Sequence, residues 1–332
     1  MDRPLVAVVL AGGTGTRLYP ASRSHRPKQF QSFDGEQSLL AATVSRAGFA
    51  DEVYVLTRPE FADDVREHAP EAAVLTEPEP RDTGPALVYA AHRVREQVGE
   101  AVTVTMPSDH HVDGDFASTA RTAAEVAEHT GGLVTVGVEP TRPATGYGYI
   151  EPGEARDGYY TVASFTEKPD RETAEEYVDS GCYWNAGIFA WTPNAFLGEA
   201  RQSPLGPLVE AMDDGDPERG FAAVDPVSVD YAVLERTDKA YVVPASFDWD
   251  DLGSWDAVER LLEADEDGNV VLGDGLLEDA DDNVVATDGH VSLVGVSDLV
   301  VASYGDRTLV IPKDRAQEVR EVVAQLREND RF

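Results

Sequence analysis

From residue 5 to about residue 193, short apolar runs alternate with longer amphipathic stretches, and this alternation limits the fold more than any other feature. The runs 5–11, 52–56, 101–106 and 132–138 show little polar interruption, whereas 39–47, 61–68, 86–98 and 119–128 carry apolar residues at helical spacing. Strands without alternation are covered on both faces, and parallel strands need crossover connections, usually helices. The predicted fold class is therefore α/β: a Rossmann-like domain with a mixed, mainly parallel sheet. Past residue 145 the pattern changes to Tyr- and Gly-rich β segments with surface helices, reaching about residue 255. From residue 268, the runs 269–272, 283–286, 291–294, 299–302 and 308–311 are separated by Gly and Asp turns. Evenly spaced short runs of this kind predict a small all-β unit of solenoid type. Residues 315–328 predict a helix that caps it. The predicted domains are 1–260 and 265–332.

A chain of 332 residues exceeds what one core usually supports, and 42% apolar residues exclude a disordered chain. The seven-residue run near the start is far short of a membrane helix. Asp2 cancels Arg3, and the run leads into glycines rather than a cleavage site. A single cysteine, Cys182, permits no internal disulfide, so a soluble cytoplasmic protein is expected.

Sixty-two acids against 27 bases give a net charge of −35, which disfavours nucleic acid and anionic membranes as partners. Only four bases are lysine (Lys28, Lys168, Lys239, Lys313) and 23 are arginine. A salt-rich cell interior would screen such self-repulsion, making the chain halophilic. GC-rich codon usage is the competing explanation for the shortage of lysine.

The strand at 5–11 runs into Gly12-Gly13-Thr14-Gly15-Thr16-Arg17-Leu18. A glycine loop after a buried strand lets backbone N–H groups approach phosphate oxygens. Leu18 occupies the place of the third glycine of a dinucleotide fingerprint, which argues against an NAD-dependent dehydrogenase. No Gly-Lys-Ser/Thr follows to make a P-loop. Residues 3–33 hold Arg3, Arg17, Arg23, Arg26 and Lys28 and not one acid. In so acidic a chain this implies a strongly anionic ligand, with polyphosphate the natural candidate. Asp109 follows the run 101–106 and so falls outside the carboxyl end of its strand, where open parallel sheets bind ligands. A carboxylate there suits Mg²⁺; the competing reading is a helix N-cap.

The segment Ala11-Gly12-Gly13-Thr14-Gly15-Thr16-Arg17-Leu18-Tyr19-Pro20, with Ser22-Arg23 and Pro27-Lys28-Gln29-Phe30, resembles the signature of mannose-1-phosphate guanylyltransferases, which are sugar-1-phosphate nucleotidylyltransferases. The resemblance continues through Thr76-Glu77-Pro78, Arg81-Asp82-Thr83-Gly84-Pro85-Ala86 and Pro107-Ser108-Asp109-His110. Beyond these lie Thr145-Gly146-Tyr147-Gly148-Tyr149-Ile150, Phe165-Thr166-Glu167-Lys168-Pro169 and Trp184-Asn185-Ala186-Gly187-Ile188-Phe189. Asp230-Tyr231-Ala232 and Trp249-Asp250-Asp251-Leu252-Gly253-Ser254-Trp255 close the series. The β unit behind them is similar to the family's left-handed β-helix tail.

The resemblance implies GMP transfer from GTP to α-D-mannose 1-phosphate, yielding GDP-mannose and pyrophosphate. Both reactants are anions, so the protein must align them and neutralise charge, without a nucleophile of its own. Arg17 and Lys28 are the expected catalytic cations. Ala11, Gly12, Gly13, Thr14, Gly15, Thr16, Glu77, Arg81, Asp82, Thr83 and Ser108 are expected on the nucleotide, with helix capping the competing role for Asp82 and Thr83. The family's usual asparagine after Arg81 is here Asp82, and its usual alanine is Gly84. Gly146, Tyr147, Glu167, Lys168 and Asn185 are expected on the sugar phosphate. Asp109 and, from the resemblance, Asp251 would hold Mg²⁺; Asp248, Asp250 and Asp256 crowd the second position. Tyr147 and Tyr149 could equally be core aromatics, and His110 and His111 read as structural. A homodimer is implied by resemblance only. The alternatives are the same chemistry on glucose or N-acetylglucosamine phosphate with UTP or dTTP, and a non-catalytic regulatory relative that binds sugar nucleotides. The isomerase domain of bifunctional relatives is not expected after residue 332.

Overall fold

A computed structural model describes residues 2–13, 15–33, 37–329 and 331–332. Its strands, in chain order, are β1 (Leu5–Leu10), β2 (Glu52–Thr57), β3 (Ala73–Thr76), β4 (Val102–Pro107), β5 (His111–Gly114), β6 (Leu133–Val138), β7 (Gly148–Ala155) and β8 (Tyr160–Glu167). They continue with β9 (Tyr183–Trp191), β10 (Ala240–Pro244), β11 (Phe247–Asp250), β12 (Val270–Glu278), β13 (Val284–Val294), β14 (Leu299–Tyr304) and β15 (Arg307–Pro312). The chain divides into two compact units, one of residues 1–12, 43–108 and 112–249, the other of 13–42, 109–111 and 250–332.

The larger unit is built on a nine-stranded sheet in the order β3-β2-β1-β4-β9-β6-β10-β8-β7. β3, β2, β1 and β4 are mutually parallel, as the unbroken apolar runs of β2, β1 and β4 predict. All but the last residue of β1 are buried. The long strand β9 then inserts antiparallel between β4 and β6. Strand order reverses around β1, which has β2 on one side and β4 on the other. The ends of β1 and β4 therefore form a topological switch point, the place where open α/β sheets leave a crevice.

Helix Thr83–Gln97 lays Leu87, Val88 and Ala91 into a core with Trp191, Phe196 and Leu208. Trp191 stacks on Phe196 at 4.2 Å between centroids, which makes this tryptophan a packing residue. The four predicted helices between the early strands all form, with no end shifted by more than three residues. Sequence reading missed β3, whose four residues are too short to show a pattern.

In the smaller unit β12, β13 and β14 pair in parallel and β15 returns antiparallel to β14. The runs predicted separately at 283–286 and 291–294 are one eleven-residue strand, β13. Asp288 and Gly289 read as a turn, yet they fall at an irregularity where the β12–β13 register shifts, and pairing with β12 resumes at His290 without a chain reversal. Asn269 and Asn283 are buried, each one residue before a strand, β12 and β13; Asn283 Nδ2 donates to Asn269 Oδ1 at 3.0 Å. The predicted terminal helix begins as a 3₁₀ segment, Lys313–Glu318, and becomes α-helical over Val319–Glu328. Its Val319 and Val323 pack with Leu18, Trp255, Val284 and Ile311 in the unit's core. Among the described residues no helix is long and apolar enough to cross a membrane.

Candidate active site

At the switch point of the larger unit, Ala11 donates its N–H to Leu56 O at 2.8 Å, and Thr57 Oγ1 donates to Ala11 O at 2.9 Å. Ser108, one residue beyond β4, donates its N–H to Leu10 O at 3.0 Å. Glu77, one residue beyond β3, donates its N–H to Thr57 O, and its carboxyl lies against Gly12. A Cβ on Gly12 would stand 3.2 Å from Glu77 Oε1. Ala11, Gly12, Glu77 and Ser108 are thus gathered at the carboxyl ends of the parallel strands. Glu77 is only 5% exposed, and its Oε2 has no partner among the described residues. Burial pushes its carboxyl up to about 7, against the weaker opposing pull of Arg58.

Arg81 and Asp82 serve the loop itself. Arg81 pairs with Glu79 at 2.9 Å and donates to Val224 O at 2.8 Å. Asp82, with φ of 70°, accepts from Thr83 N at 2.7 Å as the N-cap of helix Thr83–Gln97, and Thr83 Oγ1 accepts from Val229 N. Capping is the role seen here for Asp82, while Thr83 ties the start of that helix to the backbone at Val229.

The sugar-side residues converge within the same unit. Glu167 ends β8, and Lys168, at φ of 48°, turns its ammonium back to 2.5 Å from Glu167 Oε1. Lys168 N donates to Tyr147 O at 3.2 Å, which ties the 145–150 segment to the Glu167-Lys168 pair. Gly148, facing Glu167 across β7 and β8, is the glycine this arrangement requires, since a Cβ there would meet Glu167 Oε2 at 2.5 Å. Gly146 has open space where its Cβ would be. Tyr147 packs edge-on against Trp184 and Trp249, with the Arg142 guanidinium over both Tyr147 and Trp184. Asn185 on β9 accepts from Thr135 Oγ1 at 2.9 Å and donates to Asp230 Oδ1 at 2.9 Å.

The smaller unit brings together the residues expected to handle phosphate. Gly15 takes φ of 61°, and the 3₁₀ turn Thr16–Leu18 places Arg17, with Thr16 at its start. Thr14 lies outside the described residues, and Gly13 leaves open space around its α-carbon. A Cβ on Gly15 would stand 2.4 Å from Lys28 Cβ, so the lysine stem rests on the glycine. Lys28 is 3% exposed; its Nζ donates to Asp109 Oδ2 at 2.9 Å and to Asp251 O at 2.6 Å. These three residues are separated by 81 and 223 positions in sequence. Burial works against ionisation of Asp109, but Lys28, His110 and Arg17 outweigh it and hold the carboxyl below the usual range. Asp109 lies just before β5, not at the head of a helix, so the N-cap reading fails.

Asp251 Oδ1 accepts from Gly253 N at 2.9 Å, and its Oδ2 is 3.7 Å from Arg17 Nη2. The neighbours that crowded it in sequence separate in space. Asp250 is buried against Arg260 at 2.7 Å, Asp256 accepts from Gln317, and Asp248 is exposed. Not every base of the acid-free segment remains for a ligand. Arg23 donates to Tyr304 O and pairs with Asp306 at 2.8 Å, while Arg26 pairs with Asp288. Arg3 pairs with Glu100 at 2.8 Å. Proximity in sequence hid the difference, since the partners lie up to 283 positions away.

No group of three or more His, Cys, Asp or Glu side chains able to cage a metal occurs among the described residues. The Asp109 carboxylate beside Lys28, and that of Asp251 on the residue whose backbone carbonyl Lys28 bonds, are nevertheless the hard oxygen donors that suit Mg²⁺, which takes one or two protein carboxylates and completes its shell with water and substrate phosphate.

Comparison with known proteins identifies the family. The model of the nucleotidyl transferase family matches residues 6–268, and that of the mannose-phosphate isomerase/GMP-like β-helix domain matches residues 273–326. Mannose-1-phosphate guanylyltransferase RfbM of Salmonella typhimurium is 37% identical over 98% of this chain and 73% of its own length. Xanthan biosynthesis protein XanB of Xanthomonas campestris is 36% identical over 97% of this chain and 73% of its own. A crystal structure from Thermus thermophilus, described as a mannose-1-phosphate geranyltransferase, superimposes with a TM-score of 0.91 at 38% identity, covering 98% of this chain and 99% of that one. With the glycine loop, the Lys28-Asp109-Asp251 grouping and matches over nearly the whole length, the chain belongs to the mannose-1-phosphate guanylyltransferase family of sugar-1-phosphate nucleotidyltransferases.

Proposed function

We propose that the protein transfers GMP from GTP to α-D-mannose 1-phosphate, releasing pyrophosphate and forming GDP-mannose. The observation that carries this reading is the convergence of Lys28, Asp109 and Asp251 from three distant parts of the chain. Such a grouping suits an attack by one phosphate on another, where the barrier is charge and alignment rather than the lack of a nucleophile. Lys28 and Arg17 neutralise triphosphate and the developing pyrophosphate, while N–H groups of Gly12, Gly13 and Gly15 point at phosphate oxygens. Asp109 and Asp251 would hold Mg²⁺, which when bound draws negative charge off the α- and β-phosphates. Glu77, with Ala11, Ser108 and the helix start at Asp82 and Thr83, forms the base side. Glu167 and Asn185 bind hydroxyls of the sugar, and Lys168 its 1-phosphate.

Residues 1–260 form the catalytic domain in this reading and 265–332 the β-helix unit, in a cytoplasmic protein that works as a homodimer. A pyrophosphate-release assay over four nucleoside triphosphates and several hexose 1-phosphates tests the assignment. GTP with mannose 1-phosphate is expected to give the highest kcat/KM; preference for UTP or dTTP with a glucose derivative would replace it with the sister chemistry. Tight GDP-mannose binding without turnover at any salt concentration would instead indicate a regulatory relative.

A further inference from the structure

Asp230 belongs to a quoted sequence motif but has no part in the site so far. It opens a five-residue π-helical turn, Asp230–Leu234, a local geometry found often at functional sites. Its Oδ1 accepts from Asn185 Nδ2 at 2.9 Å. On the other end of the same amide, Asn185 Oδ1 accepts from Thr135 Oγ1 at 2.9 Å and from Gly187 N at 3.1 Å. These contacts fix which end of the amide is oxygen. A flipped amide would set its carbonyl against a carboxylate and its NH₂ against a backbone N–H. One N–H of Asn185 is left over, so toward a ligand that nitrogen acts as a donor.

The groups around Asp230 are those of the sugar side. Glu167 raises its carboxyl and Lys168 lowers it, but burial is the largest influence and pushes it up to about 6. Glu235, on the same stretch of chain, accepts from Glu167 N at 3.4 Å. Lys168 therefore stands among Glu167, Asp230 and Tyr231, and its proton is held more tightly than usual: burial opposes this, but Glu167 and then Asp230 outweigh it.

We propose that Asp230 is the positioning residue of the sugar-phosphate site: it locks the Asn185 amide as a donor to a ring hydroxyl and, with Glu167, brackets the Lys168 ammonium. A hydroxyl oxygen that accepts from Asn185 keeps its own hydrogen for Glu167, so donor and carboxylate together read one hydroxyl in both directions. The proposal rests on the assignment of Glu167, Lys168 and Asn185 to the sugar.

The test is steady-state kinetics of Asp230→Asn, Asn185→Ala and the double variant, with GTP and mannose 1-phosphate varied separately in the presence of Mg²⁺. Asp230→Asn is expected to raise KM for mannose 1-phosphate roughly tenfold, the scale of one charge-assisted hydrogen bond, and to leave KM for GTP within about twofold. The double variant should exceed Asn185→Ala by clearly less than the full Asp230→Asn effect, because part of what Asp230 does passes through that amide and only the part acting on Lys168 remains. The ratio of wild-type to variant KM for mannose 1-phosphate should rise toward one from below as pH drops through about 6. The phosphate of the substrate titrates in both enzymes and cancels in that ratio. Additive effects, or equal changes in both KM values, would mean a structural role only and overturn the proposal. If Asn185→Ala and Lys168→Ala leave KM for mannose 1-phosphate unchanged, the sugar assignment itself fails. If they raise it while Asp230→Asn does not, the proposal alone fails. Thermal unfolding of each variant checks that the fold is retained.

Discussion

Two regions of the molecule keep carboxylates in opposite electrical states. In the smaller unit Asp109 is held ionised by Lys28, and Asp251 lies within reach of Arg17. In the larger unit Glu77 and Asp230 are drawn out of solvent with no ion pair to a cation among the described residues, and burial lifts their carboxyls to about 7 and about 6. A carboxylate already beside a cation is suited to metal and phosphate, where charges of both signs must be exchanged. A carboxylate without one ionises less readily once burial strips its hydration; an N–H of Asn185 compensates Asp230 in part, while Glu77 Oε2 has no partner among the described residues. The contrast teaches that one kind of side chain is kept charged or pushed toward neutrality by its surroundings, a cation in one unit and burial in the other.

The largest expected effect breaks the first half of the contrast. Asp109→Asn or Asp251→Asn should lower turnover by roughly a thousandfold, since metal-assisted charge neutralisation is worth several kcal/mol. Circular dichroism and the unfolding midpoint should stay close to those of the parent protein. Near-normal rates at saturating Mg²⁺ for either variant would remove that residue from the metal assignment. Lys28→Met comes next, with a loss of roughly a hundredfold in kcat, and about 3 kcal/mol of stability from leaving Asp109 without its partner.

Glu77→Gln sharpens the second half and carries the opposite sign for stability. Because the folded carboxyl titrates near 7 rather than its ordinary 4.5, the ionised form burdens the fold. The contribution of Glu77 is fully present below pH 4.5 and is lost as pH rises through 7. The amide variant should therefore be more stable at pH 8, by on the order of 2–3 kcal/mol, while KM for GTP increases. A variant that is less stable at pH 8 than the parent would contradict the burial argument. Smaller still, Arg23→Ala should cost about 1–2 kcal/mol through its contacts with Tyr304 O and Asp306, leaving KM for GTP unchanged. A raised KM would return Arg23 to the anion site. With a net charge of −35, the unfolding midpoint should also rise between dilute and molar KCl, and a salt-independent midpoint would dismiss the halophilic expectation.

What could be read before the fold was known follows from how local each signal is. The parallel strands announced themselves because a strand buried on both faces must be apolar along its length, as β1 and β6 are. Lys28, Asp109 and Asp251 were legible because few lysines exist to choose from and the motifs stand in order. The partners of Arg23 and Arg26 were not, because an ion pair across some 280 positions leaves no trace in a sequence window. Nor could composition reveal Asp230, whose importance lies in which end of the Asn185 amide it touches. The run at 291–294 was misjudged as a separate strand because Asp and Gly mark a β-bulge as readily as a turn, and here the register of β13 against β12 shifts and then resumes.

The seat of Lys28 on Gly15 has a genetic consequence. A methyl group at position 15 would collide with the lysine stem while also meeting a left-handed backbone that side chains resist. Gly15→Ala would thus act as a disguised lesion of Lys28, abolishing activity in a variant whose altered residue bears no functional atom. Position 15 is thus kept bare by the space that the stem of Lys28 occupies.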